Sequence, residues 1–151
     1  MTRFSNAKRI IDLIGLRSLR LKQQSQKERA VVEDLEAKIG RFNDDLAKLK
    51  AECAAYEGRY SRSSLLCARG RIAVTLYEIA CRNVEIAELI DERDRAREQM
   101  RSTEKAVMAL TQRKQRHCER LAKEKTAYAT LRELQLSEEI LEGKGYGFSE
   151  H

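Results

Sequence analysis

Four cysteines, two histidines and many carboxylates are the side chains of this 151-residue chain that could support covalent, redox or metal chemistry. Their spacing argues against each. Cys53, Cys67, Cys81 and Cys118 form no C-x-x-C pair, and His117 beside Cys118 makes no chelate because adjacent helical residues point in different directions. Three of the cysteines lie fourteen residues apart, two heptads, which on one continuous supercoiled helix would share a face. The apolar residues near Ile10 are cut by Asp12 and Arg17, so a secretory leader is not expected. Reduced thiols serving as small packing groups in a cytosolic protein are the expectation. No Gly-rich phosphate loop, G-x-S-x-G or H-E-x-x-H occurs. Carboxylates become acids or bases only in enclosed sites that shift their pKa values. No enzymatic activity, cofactor or metal is expected.

The chemistry that remains is charge-based surface recognition. Residues 1–30 carry eight Lys/Arg (Arg3, Lys8, Arg9, Arg17, Arg20, Lys22, Lys27 and Arg29) against Asp12 and Glu28, a net +6. The rest of the chain is balanced, with 22 basic and 22 acidic groups. One basic end on a neutral body points to an anionic partner there, or to a solvated face.

The elements that position these groups must be helical. With 36% charged residues, no Trp, seven Gly and no Pro, the chain can fill no thick core and lacks the turn signals of a many-stranded fold. No run of about 18 apolar residues occurs, so no transmembrane helix is expected. Val32, Leu35, Ile39, Phe42, Leu46, Leu49, Cys53, Tyr56 and Tyr60 alternate by three and four, filling nine successive a/d positions. At this apolar content such a run arises by chance about four times in 10,000, so the heptad is real. Its period of 3.5 demands a left-handed supercoil. Continued backward, the register meets Ile11, Ile14, Ser18, Leu21, Ser25 and Glu28, a looser seam. Ile10, Leu13, Leu16 and Leu19 put apolar side chains on further faces of the same segment.

Between Gly58 and Gly70 the pattern falters, with Ser61, Ser63 and Ser64 among the breakers. Ile72, Leu76, Ile79, Ile86 and Ile90 then resume helical spacing with Asn83 inside the seam, and Met100, Val107, Leu110, Leu121, Tyr128 and Leu131 continue it. Arg93, Arg97, Lys114 and Lys125 are placed to lay their methylene stems over this second seam. Gly143 is expected to end the helix as its C′ residue. The expected fold is all-α, a long antiparallel two-helix coiled-coil hairpin. Its first helix runs over about 5–60, its turn lies within 58–71, its second helix runs over about 72–142, and 143–151 form a flexible tail. Arms of ~60 residues would be ~90 Å long. Folding back would bring Glu133, Glu138, Glu139 and Glu142 beside Arg3, Lys8, Arg9 and Arg17, a pairing that selects orientation. One continuous helix in a parallel dimer is the alternative.

Three surfaces compete for function. The basic collar joins the first turns to Arg113, Lys114, Arg116, Arg120, Lys123 and Lys125, with Arg9, Arg17, Arg20, Arg116 and Arg120 as the candidate contacts. The hairpin tip offers Tyr56, Tyr60, Leu65 and Leu66 as a docking patch or as a closed end of the core. The acid-poor amphipathic start resembles a membrane-surface helix or a presequence. Specific nucleic-acid binding ranks lower, because the basic helices carry few aromatics to stack on bases.

The basic opening Arg3…Lys8-Arg9…Leu16-Arg17…Leu19-Arg20-Leu21-Lys22 and the acidic close Glu133-Leu-Gln-Leu-Ser-Glu-Glu-Ile-Leu-Glu142, on a Pro-free coiled coil of this length, resemble the YscO/FliJ group. These are the central-stalk proteins of bacterial type III secretion and flagellar export. The Gly-rich tail and the four cysteines depart from the group's pattern. The resemblance implies an antiparallel hairpin similar to the stalk of the rotary ATPase γ subunit. It implies a cytoplasmic protein, peripheral to the inner-membrane secretion apparatus, that couples a hexameric secretion ATPase to the export gate and engages secretion chaperones. The five arginines would then contact the ATPase ring, and the tip would contact the export gate. A general coiled-coil scaffold or chaperone-like interaction protein is the other reading.

Overall fold

The computed structural model describes residues 2–56, 58 and 61–146. Two helices account for nearly all of them: α1, Thr2–Ala55, and α2, Arg62–Tyr146. They pack on each other as an all-α helical hairpin, with no strand among the described residues. Nothing in the sequence interrupts either helix, since Pro is absent and every described glycine keeps a backbone open to any L-residue. No helix is long and apolar enough to cross a membrane among the described residues.

The connection is shorter and earlier than the sequence pattern predicts. The Tyr56 N–H donates to the Cys53 carbonyl at 3.2 Å, tightening the last turn of α1. Ser61 then opens α2: its carbonyl accepts the first helical bond, from the Leu65 N–H at 2.9 Å, and its hydroxyl lies 2.7 Å from that of Ser64. The serines expected to break structure therefore stand at the start of a helix, where the Ser64 hydroxyl also donates to the Ser61 carbonyl at 3.0 Å. So α2 starts at Arg62 instead of about 72, and Gly70 sits inside it. At the other end α2 runs through Gly143 to Tyr146. Gly143 is thus an exposed helical residue, tolerated at a cost of ~1 kcal/mol, and is not the expected C′ residue.

The chain divides into two compact units, one of Met1–Leu21 with Lys105–His151 and the other Lys22–Glu104. In the second unit Val32, Leu35 and Ile39 are buried, and Phe42, Leu46, Leu49 and Cys53 are half-buried. Facing residues on α2 are Ala68, Ile72, Thr75, Ile79, Arg82, Ile86, Leu89, Arg93, Ala96, Met100 and Thr103, again spaced by four and three. Leu76 and Asn83, expected in this seam, are instead exposed. Thr75 stands in the seam next to Leu76, tolerated there because its hydroxyl donates to the Arg71 carbonyl at 2.9 Å and is satisfied within its own helix. Thr103 does the same toward the Gln99 carbonyl at 3.1 Å. Among the described residues, Arg29 pairs with Glu104 at 3.1 Å and Arg97 with Glu36 across the helices. One heptad forward on α1 matches one heptad back on α2, which is antiparallel register.

In the first unit Ile11, Ile14 and Ser18 are buried on α1 while Ile10, Leu13, Leu16 and Leu19 are exposed, so the segment does carry apolar residues on more than one face. The Phe4 ring meets Tyr128 edge-on, with centroids 5.8 Å apart. That contact corrects one expectation. The first turns of α1 lie beside 114–128 of α2, so Glu133, Glu138, Glu139 and Glu142 extend past them, exposed, and do not lie beside Arg9 and Arg17. Tyr128 and Leu131, although in register, are also exposed, at 57% and 60%, because α2 outruns its partner there. No large side chain is completely buried among the described residues. A single pair of helices covers each seam residue from one side only.

Candidate interaction surface

The structure gathers Arg9, Arg17, Arg20, Arg116 and Arg120 into one unit, and all five are exposed. That unit holds fourteen Lys/Arg against eight Asp/Glu, a net +6. The other unit holds sixteen of each sign and is neutral. The whole net charge of the chain thus belongs to one structural unit.

Helical geometry orders the α1 part of this surface. With the seam at Ile11, Ile14, Ser18 and Leu21, residues 9, 13, 16 and 20 fall on the opposite side and residue 17 on the seam's flank. Arg9, Leu13, Leu16 and Arg20, with Arg17 at their edge, therefore make one outward stripe, in which leucines exposed by 65% and 56% stand among guanidinium groups. Such a stripe offers apolar contact and directional hydrogen-bond donors together. On α2, Arg120 donates to Glu124 at 3.0 Å and lines a groove of ≈ 280 Å³ with Asn6, Ile10, His117 and Leu121. Part of its charge is already answered. Arg116 has no such pair among the described residues.

The tip residues are less uniform. Tyr56 is half-buried, Leu65 is 37% exposed and Leu66 is 74% exposed. Tyr60 lies outside the described residues. Near this end a groove of ≈ 420 Å³ runs between α1 and α2, with Asp45, Glu52, Glu78 and Glu85 set against Lys48 and Arg82. The sequence pattern gave no hint of it, because its carboxylates come from distant segments. All four cysteines are free thiols. Cys53 belongs to α1 whereas Cys67 and Cys81 belong to α2, so the fourteen-residue spacing does not place them on one helix face. The Tyr77 phenol is pushed above its ordinary value of 10.0 by its hydrogen bond to Cys81 and by the thiol's charge when ionised. No three His, Cys, Asp or Glu side chains converge in a way that could hold a metal among the described residues.

No family model, curated protein or solved structure matches the chain.

Proposed function

We propose that this protein is a non-catalytic coupling element that engages an acidic, ring-shaped ATPase through its charged unit, as the central stalk of a type III secretion export apparatus. The observation that carries the reading is the confinement of the full +6 to the unit that also presents the Arg9–Leu13–Leu16–Arg17–Arg20 stripe. A cationic surface with apolar anchors suits the acid-lined opening of a hexameric secretion ATPase, where charge complementarity governs encounter and register. The neutral unit, with Tyr56, Leu65 and Leu66, is left for an export-gate protein, and secretion chaperones are a further class of partner. In this reading the protein works in the cytoplasm at the inner-membrane apparatus.

The test is binding of the full chain to a purified hexameric secretion ATPase at several salt concentrations. The stalk reading expects binding that weakens steeply with salt. Exposed Val74, Leu76, Tyr77, Val84 and Met108 favour a second reading, a scaffold that holds client proteins along its length. Salt-insensitive binding to unfolded clients, with none to the ring, would support that reading instead.

A further inference from the structure

In the neutral unit, α2 carries a second row of apolar and small residues on the side turned away from α1. Leu66, Gly70, Ala73, Tyr77, Ala80, Val84 and Ala87 alternate by four and three, the spacing of a heptad seam. Each stands two residues from a seam position of α2, about 200° around the helix, and each is exposed. Tyr77 and Val84 are 71% and 59% exposed, and Val74 and Leu76 widen the row on its two flanks. Five charged residues fall between Leu66 and Ala87. Glu78, Arg82 and Glu85 line the groove against α1, Arg71 shares their side, and only Arg69 borders the outer row. A helix apolar on opposite sides packs against two neighbours, and α1 supplies one.

Size and charge along the row identify the other. Counted from a centre between Leu76 and Tyr77, Leu66 mirrors Ala87, Ala73 mirrors Ala80, and Gly70 falls opposite Val84. One turn outside the row, Arg62 at one end mirrors Asp91 at the other. Both lie on the same flank of the row, within about 40° of its midline. An antiparallel copy therefore sets large residues against small ones, with the two Tyr77 rings meeting between the alanines at the centre, and sets Arg62 against Asp91 in both halves. A parallel copy would set Leu66 against Leu66, Gly70 against Gly70 and Asp91 against Asp91. Alanine at every seventh position, 73, 80 and 87, lets two such helices approach toward the short end of the ~8–10 Å range of helix pairs. We propose that residues 62–91 of α2 pair antiparallel with the same segment of a second copy, forming a two-fold symmetric dimer centred between Leu76 and Tyr77. Such an interface is self-complementary, as two-fold symmetry requires. Only the neutral unit takes part, so the pairing does not depend on the charged unit meeting a ring.

Sedimentation equilibrium of the full chain, over about a hundredfold range of micromolar concentrations, tests this. The expected mass rises from monomer toward dimer. Ala73→Glu together with Ala80→Glu should weaken the dimer at least about tenfold, with helix content retained, because both residues face away from α1. Asp91→Arg should weaken it, and adding Arg62→Asp should restore it, a rescue that only the antiparallel order allows. A mass that stays monomeric throughout would overturn the proposal and leave this face to a different protein. A dimer that tolerates the two glutamates, that Asp91→Arg leaves as tight, or that the paired exchange fails to restore would overturn it too.

Discussion

The guanidinium of Arg82 lies over the ring of Phe42, its central carbon 4.3 Å from the ring centroid. Arg82 occupies a seam position of α2, where a leucine would be ordinary, and Glu85 holds its other side at 2.6 Å. Its Nε is buried without a partner. The aromatic face therefore supplies much of what replaces water around this cation.

A double-mutant cycle measures that contact. With Phe42→Leu and Arg82→Met, denaturant unfolding should show a coupling of about 0.5–1 kcal/mol, since each single change keeps apolar bulk and removes only the cation–ring attraction. Additive single effects would mean that Arg82 contributes by its methylene stem alone.

Core truncations should be graded along α1. Leu35 is 4% exposed, whereas Leu46 is only half-buried. Leu35→Ala should cost about 2–3 kcal/mol and Leu46→Ala clearly less, because the lost transfer energy and the cavity both scale with burial. Equal losses in thermal or chemical unfolding would contradict the burial gradient.

That gradient shows what was legible in the sequence. The α1 seam was readable because Val32 to Leu49 are apolar at every seam position, and Ser18 and Ser25 stay buried in the same register at 6% and 9%. The α2 seam was harder to read. Thr75, Arg82, Arg93 and Thr103 are polar residues on the packed side, and they hid it behind the apolar but exposed Leu76. Hydroxyls bonded to their own helix, and a cation on an aromatic face, carry no hydrophobic periodicity. The basic surface could be counted from composition, yet its neighbours could not. Register across a hairpin depends on where the connection ends, and the start of α2 right after Ser61 sets it earlier than the pattern implies.

Glycine replacements should raise stability. A Cβ on Gly40 meets nothing within 4 Å, so Gly40→Ala should add about 0.5–1 kcal/mol by lowering the entropy of the unfolded chain. A Cβ on Gly15 would lie 3.2 Å from Lys114 Nζ, the far end of a flexible side chain that can swing aside. Gly15→Ala should therefore gain less than Gly40→Ala. A net loss at Gly15, seen as a lowered melting temperature, would mean that the close approach of Lys114 stabilises the pair.

The Tyr77–Cys81 contact predicts a pH effect with a definite sign. The native state holds the Tyr77 proton to higher pH than the unfolded chain does. Its contribution to stability is thus present below the ordinary phenol range and lost as pH rises through it. Cys81→Ala should lower the Tyr77 pKa in an ultraviolet phenolate titration and make that loss shallower. An unchanged titration would show that the pair does not interact in solution.

If the charged unit acts on an ATPase ring as proposed, the hydrolysis rate of the cognate hexameric secretion ATPase should report it. Arg17 and Arg20 are exposed and stand off the seam, so the Arg17→Glu/Arg20→Glu variant should fold as the wild type does. The wild-type protein should stimulate hydrolysis at low salt and less so at moderate salt, while the variant should stimulate weakly at both. No stimulation by the wild type, or equal stimulation by the variant, would contradict it.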